Sequence, residues 1–128
     1  MKKLNVVAAL IYEDDKILLT SRPDHQEHAG FWEFPGGKIE SGETPAQSLK
    51  RELKEELDIE VSVYDTVFLI EHQYPDKLVY ISFLRCMLLP DETPTALEQQ
   101  EFAWVKRENL SNYKILPADK PLVNFLSL

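Results

Sequence analysis

Apolar positions along the chain group into blocks of two different periods. Residues 4–12, "LNVVAALIY", and 16–21, "KILLTS", are rich in Val, Ile and Leu, and Glu13-Asp14-Asp15 separates them. That pattern predicts a hairpin. Residues 22–30 are polar and predict a loop; "FWEF" (31–34) then alternates briefly until Pro35-Gly36-Gly37 ends it, and 38–43 has no clear period. Two long strands follow, "IEVSVYDTVFLIEHQY" and "LVYISFLRCMLL", joined near Pro75-Asp76. "PDETPTALEQQ" predicts a loop, "EFAWV" a short strand, and the last residues a short helix starting near Ala118.

Between these strands the period changes to that of a helix. Thr44 suits an N-cap, Pro45 the first helical position, and Gln47 completes a capping box. Ala46, Leu49, Leu53 and Leu57 recur at spacings of three and four, which makes one apolar stripe able to dock on a sheet. Mixed strands with few helices predict an α/β or α+β fold in which helices cover a mixed sheet. No repeat or long linker divides the chain, so residues 1–128 are expected to be one domain.

Composition narrows the function classes. The 44% hydrophobic and 28% charged residues suit a globular protein. Lys2-Lys3 followed by apolar residues has the outline of a signal peptide, but the segment meets acids at once and lacks a small-residue cleavage site. A cytoplasmic protein without a membrane anchor is expected. Cys86 is the single cysteine, which excludes an internal disulfide and a cysteine zinc cluster, and its apolar neighbours predict a buried thiol. A net charge of −8 argues against a nucleic-acid polymer as partner. His25, His28 and His72 lack metal-ligand spacing, and Trp32 and Trp104 are expected to be packing residues.

The chemistry concentrates on the helix. Glu52, Glu55 and Glu56 share a flank beside the leucine stripe, so packing fixes their direction. Like charges four apart destabilise a helix. Either these acids form a solvated face with partners such as Arg51, or a hard cation sits among them, with phosphate oxygens completing its shell. Gly36 and Gly37 upstream would let backbone approach the same point closely.

These residues carry a resemblance. Gly37, five residues, Glu43, seven residues, then Arg51-Glu52-Leu53-Lys54-Glu55-Glu56-Leu57-Asp58-Ile59 is similar to the Nudix box at every signature position but one. The exception is Asp58, where the family has Gly. A left-handed residue there costs about 1 kcal/mol relative to Gly. "WEFPGGKIESGETP" resembles the MutT branch; "LLTSRP…AGFWEF" and "LPADKPL" also resemble bacterial CTP pyrophosphohydrolases.

The resemblance implies a Nudix fold, a mixed sheet sandwiched between helices. It implies an enzyme that converts a nucleoside triphosphate to a monophosphate and pyrophosphate, by water attack at the β-phosphorus. Mg²⁺, or Mn²⁺ in its place, would be held by the Gly37 carbonyl, Glu52, Glu55, Glu56 and the loop acid Glu98. The catalytic acids would be Glu52, in the position proposed for the base, with Glu55 and Glu98. For Glu98 the alternative is an ordinary exposed acid. Glu43 and Arg51 match the pair thought to brace the loop against the helix. Arg22 and Lys38 are cations for phosphate oxygens. Phe34 and Tyr74 are candidates for the base pocket, with Lys77 as a donor.

Asp119 stands where MutT enzymes acting on 8-oxo-dGTP carry Asn. Ionised, it only accepts hydrogen bonds; it suits the N4 amino group of cytosine, or the N7–H of 8-oxoguanine if Lys77 serves O6. Its alternative role is to cap the last helix. The 8-oxo-dGTP reading stands first, and CTP or dCTP second. Hydrolysis of ADP-ribose or dinucleoside polyphosphates, and a non-catalytic nucleotide-binding module, are the further alternatives. Oligomeric state has no signal in the sequence.

Overall fold

A computed structural model of the chain describes residues 2–127. Seven strands form one mixed sheet: β1 (Lys2–Glu13), β2 (Lys16–Ser21), β3 (Trp32–Glu33), β4 (Gly36–Lys38), β5 (Val61–Gln73), β6 (Lys77–Leu88) and β7 (Phe102–Lys106). The order is β3-β2-β1-β6-β5, with β4 also on β1 and β7 on β2. β1 and β6 are parallel over eleven paired positions, and the other pairs are antiparallel.

Helix α1 (Pro45–Leu57) covers one face, and α2 (Lys120–Leu126) with two 3₁₀ turns (Arg107–Asn112 and Pro117–Asp119) covers the other. Both faces are therefore buried. Val7, Ala9 and Ile11 of β1 point to α1, while Ala8 and Leu10 point to the C-terminal elements. A central strand buried on both sides needs an unbroken apolar run, which accounts for "VVAALI".

The capping box on α1 is closed: Gln47 N–H donates to Thr44 Oγ1 at 3.1 Å, and Thr44 N–H donates to the Gln47 side chain at 2.9 Å. Leu49, Leu53 and Leu57 are fully buried on the sheet. Truncating one to Ala would cost about 2–5 kcal/mol. Asp58 closes the helix at φ 53°, in the left-handed region.

The structure refines the reading at three places. β3 ends at Glu33, before Pro35-Gly36-Gly37 as expected, but Gly36–Lys38 then forms a strand of its own, β4, on β1. The hairpin pairs β1 with β2 at Tyr12 and Glu13, so the earlier part of β1 has a vacant edge that β4 fills. The C-terminal helix begins at Lys120, after a 3₁₀ turn that starts at Pro117. The 3₁₀ turn Arg107–Asn112 was not foreseen; its buried Leu110 plugs the C-terminal core.

The other packing expectations agree with the structure. Cys86 is buried, and burial pushes its thiol up to about 12. Trp32 packs edge-on against Tyr113 at 5.1 Å, and Trp104 lies against the α1-side core. Among the described residues no helix is long and apolar enough to cross a membrane.

Candidate active site

The leucine stripe anchors α1 so that its acidic flank faces β4. β4 lies close to that flank because both its first residues are glycines. A Cβ on Gly36 would collide with the Val7 carbonyl, and one on Gly37 would lie 2.5 Å from Glu52 Oε2 and 2.6 Å from Oε1. Close approach, not an unusual φ, therefore requires glycine at Gly36, where the β1 backbone is in the way, while at Gly37 a Cβ would displace the Glu52 carboxylate.

Side chains of α1 then tie the two elements together. Ser48 Oγ donates to the Lys38 carbonyl at 3.1 Å, and Arg51 Nη2 donates to the same oxygen at 3.2 Å. Arg51 grips Glu43 with Nε at 2.8 Å and Nη2 at 3.1 Å. The Arg51 bonds, with the Glu40 N–H, hold the Glu43 carboxyl down at about 2. Glu43 and Arg51 thus join the loop before α1 to the helix.

The three box acids separate into two environments. Arg51 Nη1 reaches Glu55 at 3.2 Å, and the Glu55 side chain is 55% exposed. One guanidinium nitrogen thus bridges Glu55 and Glu52, with Glu55 the more exposed of the two. Glu52, 15% exposed, stays inside and also meets Arg51 at 3.1 Å. Burial raises its carboxyl and Arg51 opposes the rise.

Glu56 is the most perturbed of the three. Burial pushes it up to about 9, and the Glu52, Glu98 and Glu33 carboxylates push in the same direction. The contact between the two side chains acts in opposite directions, raising Glu56 and lowering Glu52.

Glu98 reaches this cluster from residues 90–100, which have no regular structure. The last carbonyls of α1 are the anchor. Leu97 N–H and Gln100 Nε2 both donate to Glu56 O, at 3.0 and 2.9 Å, and Thr95 N–H donates to Leu57 O at 2.8 Å. Orphan carbonyls at the helix end thereby hold a distant loop. Glu98 is exposed, but it shares a small polar cleft with Glu33, Gly36 and Glu56.

The cleft is short of positive charge. Among the described residues no three Asp, Glu, His or Cys side chains enclose an ion by themselves. The donor set is nonetheless hard oxygen, the glycine cradle sets the β4 backbone against the Glu52 carboxylate, and burial together with neighbouring carboxylates raises Glu56. A divalent metal fits that chemistry, with Glu52, Glu56 and the neighbouring Gly37 backbone as its nearest oxygen sources.

Next to the acids opens a cavity of about 400 Å³, walled by apolar residues of β1 and β6 and closed by Leu116 and Ala118. Gln26, Glu33, Gly36 and Glu56 line both this cavity and the acid cleft, and Gly37 lines the cavity. Lys38 is exposed at its rim, and Lys77 Nζ lies 5.1 Å over the Tyr74 ring, both residues lining the cavity.

Arg22 lines it too, but both its Nε and Nη2 are engaged by Glu33, at 2.6 and 3.2 Å. Phe34 is only 2% exposed and stacks edge-on against Phe83 at 5.7 Å, so its ring belongs to the core rather than to a stacking surface. What Phe34 offers is its N–H, which donates to Asp119 Oδ2 at 3.0 Å.

Asp119 is 5% exposed and makes no side-chain cap to either adjoining helical segment, so the capping alternative is set aside. Burial and the Glu33 carboxylate push it up to about 7, against the Phe34 N–H and Arg22. Glu33 is the site residue that sequence reasoning missed. Its signal was faint: an acid in the alternating "FWEF", where its neighbours are aromatic.

The NUDIX domain family matches residues 6–124. The CTP pyrophosphohydrolase of Escherichia coli (strain K12) is 40% identical over 131 aligned positions, covering 100% of this chain and 95% of that protein. The 8-oxo-dGTP diphosphatase of Haemophilus influenzae is 37% identical over 127 positions, covering 98% and 93%. The solution structure of the E. coli ORF135 protein superposes with a TM-score of 0.82 at 40% identity, over 97% of this chain and 88% of that one.

Proposed function

The chain belongs to the Nudix hydrolase family, and from that premise we propose how its site works: the acid cleft holds the triphosphate and the adjoining cavity holds the base. The protein is a MutT-like nucleoside triphosphate pyrophosphohydrolase. The observation that supports this assignment of sites is the shared wall, since Glu33, Gly36 and Glu56 border the acid cleft on one side and, on the other, a cavity of base size with an apolar β1–β6 wall and polar groups around it.

Nudix hydrolases generally use a divalent metal. Here Mg²⁺, or Mn²⁺, would be held by Glu52, Glu56 and the Gly37 carbonyl, with Glu55 and Glu98 at the margin. Once bound, it supplies positive charge against the phosphate oxygens. The residues of the chain do the rest. Glu52 takes a proton from the attacking water, which adds to the β-phosphorus. The bond from that phosphorus to the α–β bridging oxygen breaks, and the nucleoside monophosphate leaves with that oxygen. Arg51 and Glu43 keep Glu52 against β4, Glu98 orients water at the open side, and Lys38 and Arg22 meet phosphate oxygens.

For the base, 8-oxo-dGTP is the leading reading. Asp119 would accept the N7–H, and Lys77, beside Tyr74, would donate to O6. One observation favours cytidine triphosphates as the second reading: a buried carboxylate already placed as an acceptor, by Phe34 N–H, suits an amino group. Residues 1–128 would act as one Nudix domain on a small nucleotide in the cytoplasm, without nucleic-acid polymer or membrane.

The test is pyrophosphate release, with Mg²⁺, from 8-oxo-dGTP, dGTP, dCTP and CTP, and AMP release from ADP-ribose as the control. In Asp119→Asn, kcat/KM should fall for the cytosine nucleotides and hold or rise for 8-oxo-dGTP. A parallel change for all four substrates would remove Asp119 from base recognition.

A further inference from the structure

The Arg22–Glu33 pair is more than the loop around it requires. Residues 22–31 are already closed by main-chain bonds: Arg22 N–H donates to Phe31 O at 2.8 Å, and Gly30 N–H donates to Arg22 O at 3.0 Å. β3 is separately fixed to β2 at Ser21 and Thr20. A half-buried ion pair adds little net stability, because desolvation offsets the attraction. The side chains of Arg22 and Glu33 are 30% and 24% exposed, and both face the cavity wall.

The geometry of the pair is directional. Nε and Nη2 engage the two oxygens of one carboxylate, which orients the plane of the guanidinium. Nη1 and the second hydrogen of Nη2 remain as donors. Glu33 lines the acid cleft with Glu56 and Glu98, and it also lines the base cavity, as Arg22 does. The pair therefore stands between the acids that receive phosphate and the pocket that receives the base. Lys38 and Lys77, the other cations of the cavity, have no carboxylate clamp of this kind: Lys77 lies over a ring and Lys38 is exposed.

We propose that Glu33 is a positioning residue for phosphate recognition: by gripping Arg22 along two bonds it aims the remaining guanidinium donors at the junction of acid cleft and base cavity. This rests on the pyrophosphohydrolase reading for the identity of the ligand. Without Glu33, Arg22 would lose its direction, and Asp119, which lines the same cavity, would compete for its guanidinium. The effect belongs to binding and not to the chemical step, since Glu33 touches Arg22 and not the reacting atoms.

The experiment is a double-mutant cycle. The ligands are α,β-methylene CTP and α,β-methylene dGTP, uncleavable at the bond in question, titrated by calorimetry with Mg²⁺. Glu33→Gln and Arg22→Ala should each raise Kd about tenfold, the loss expected for one charge-assisted phosphate contact. The double variant should bind within about twofold of Arg22→Ala. In turnover with the natural triphosphates, Glu33→Gln should raise KM about tenfold and leave kcat within about threefold.

Multiplicative losses in the double variant, near a hundredfold, would overturn the proposal, as would a wild-type Kd in Glu33→Gln. A fall in kcat at constant KM would do the same. If Glu33→Gln does not fold, Arg22→Lys serves instead, because an ammonium cannot span both carboxylate oxygens. It should also raise Kd about tenfold, and wild-type affinity there would refute the positioning role. The two readings fail separately. A wild type that binds the analogues yet releases no pyrophosphate from any triphosphate refutes the activity and leaves the cycle interpretable; one that binds neither analogue refutes the Glu33 proposal.

Discussion

Replacing Glu56 by Gln should make the metal-free protein more stable, and more so as pH rises. An ordinary glutamate ionises near 4.5, whereas burial and three neighbouring carboxylates hold Glu56 up at about 9. Because the folded-state value lies above the unfolded one, the folded chain binds this proton more tightly. Its contribution is complete below pH 4.5 and is lost progressively as pH rises towards 9. At pH 7.5 the interval travelled is three units, or about 4 kcal/mol at 1.36 kcal/mol per unit. Relaxation of a solvent-reaching cleft reduces this, so the expected gain is about 1–4 kcal/mol. For a chain of this length each kcal/mol moves Tm by about 3–4 °C. The measurement is a calorimetric melt of both proteins in a chelator at pH 5, 7 and 8.5. The difference in Tm should be near zero at pH 5 and grow to several degrees at pH 8.5, while added Mg²⁺ should raise Tm in wild type and much less in the variant. A constant difference across pH, or a variant less stable at pH 8.5, would refute the account of an uncompensated buried carboxylate.

Glu52→Gln should nearly abolish pyrophosphate release while Tm in chelator stays within a few degrees of wild type; turnover near normal would remove Glu52 from the base role. Gly37→Ala should lose most activity and about 1–3 kcal/mol of stability, because the new Cβ must displace the Glu52 carboxylate or β4; wild-type turnover and Tm would show the cradle to be slack. Asp58→Gly should gain about 0.5–1 kcal/mol with unchanged turnover, since Asp58 sits at φ 53° and its contact with Lys54 is exposed; an unchanged or lower Tm would mean that the carboxylate stabilises its own left-handed conformation.

Much of the frame was legible because it depends on short-range periodicity. Thr44, Pro45, Gln47 and the leucines define α1 within one segment, and the structure forms it from Pro45 to Leu57. The two long strands and the hairpin follow in the same way from apolar runs bounded by turn residues. β4 was not legible. Gly36 and Gly37 read as a break, because glycine carries no apolar signal, yet here its bareness lets the backbone pair with β1 and approach Glu52. Whether a glycine pair is a turn or a strand depends on a vacant edge thirty residues away.

The same distinction separates what the sequence says about the site from what it leaves out. Helical period places Glu52, Glu55 and Glu56 on one flank, but it cannot say that one Arg51 nitrogen will bridge Glu52 and Glu55, because that depends on Glu43 and the Lys38 carbonyl occupying the guanidinium's other edges. Nor can it place Glu98, which is fixed by carbonyls of α1 that accept from a loop some forty residues further on. Asp119 and Phe34 lie 85 residues apart and meet through a main-chain N–H that no side-chain pattern records. In the last two cases the missing information is a backbone polar group that finds its partner only after the chain has packed. The acids are therefore visible as chemistry in the sequence, while their placement is decided by partners that only packing brings together: the Arg51 guanidinium for Glu43, Glu52 and Glu55, the last carbonyls of α1 for the loop of Glu98, and the Phe34 N–H for Asp119.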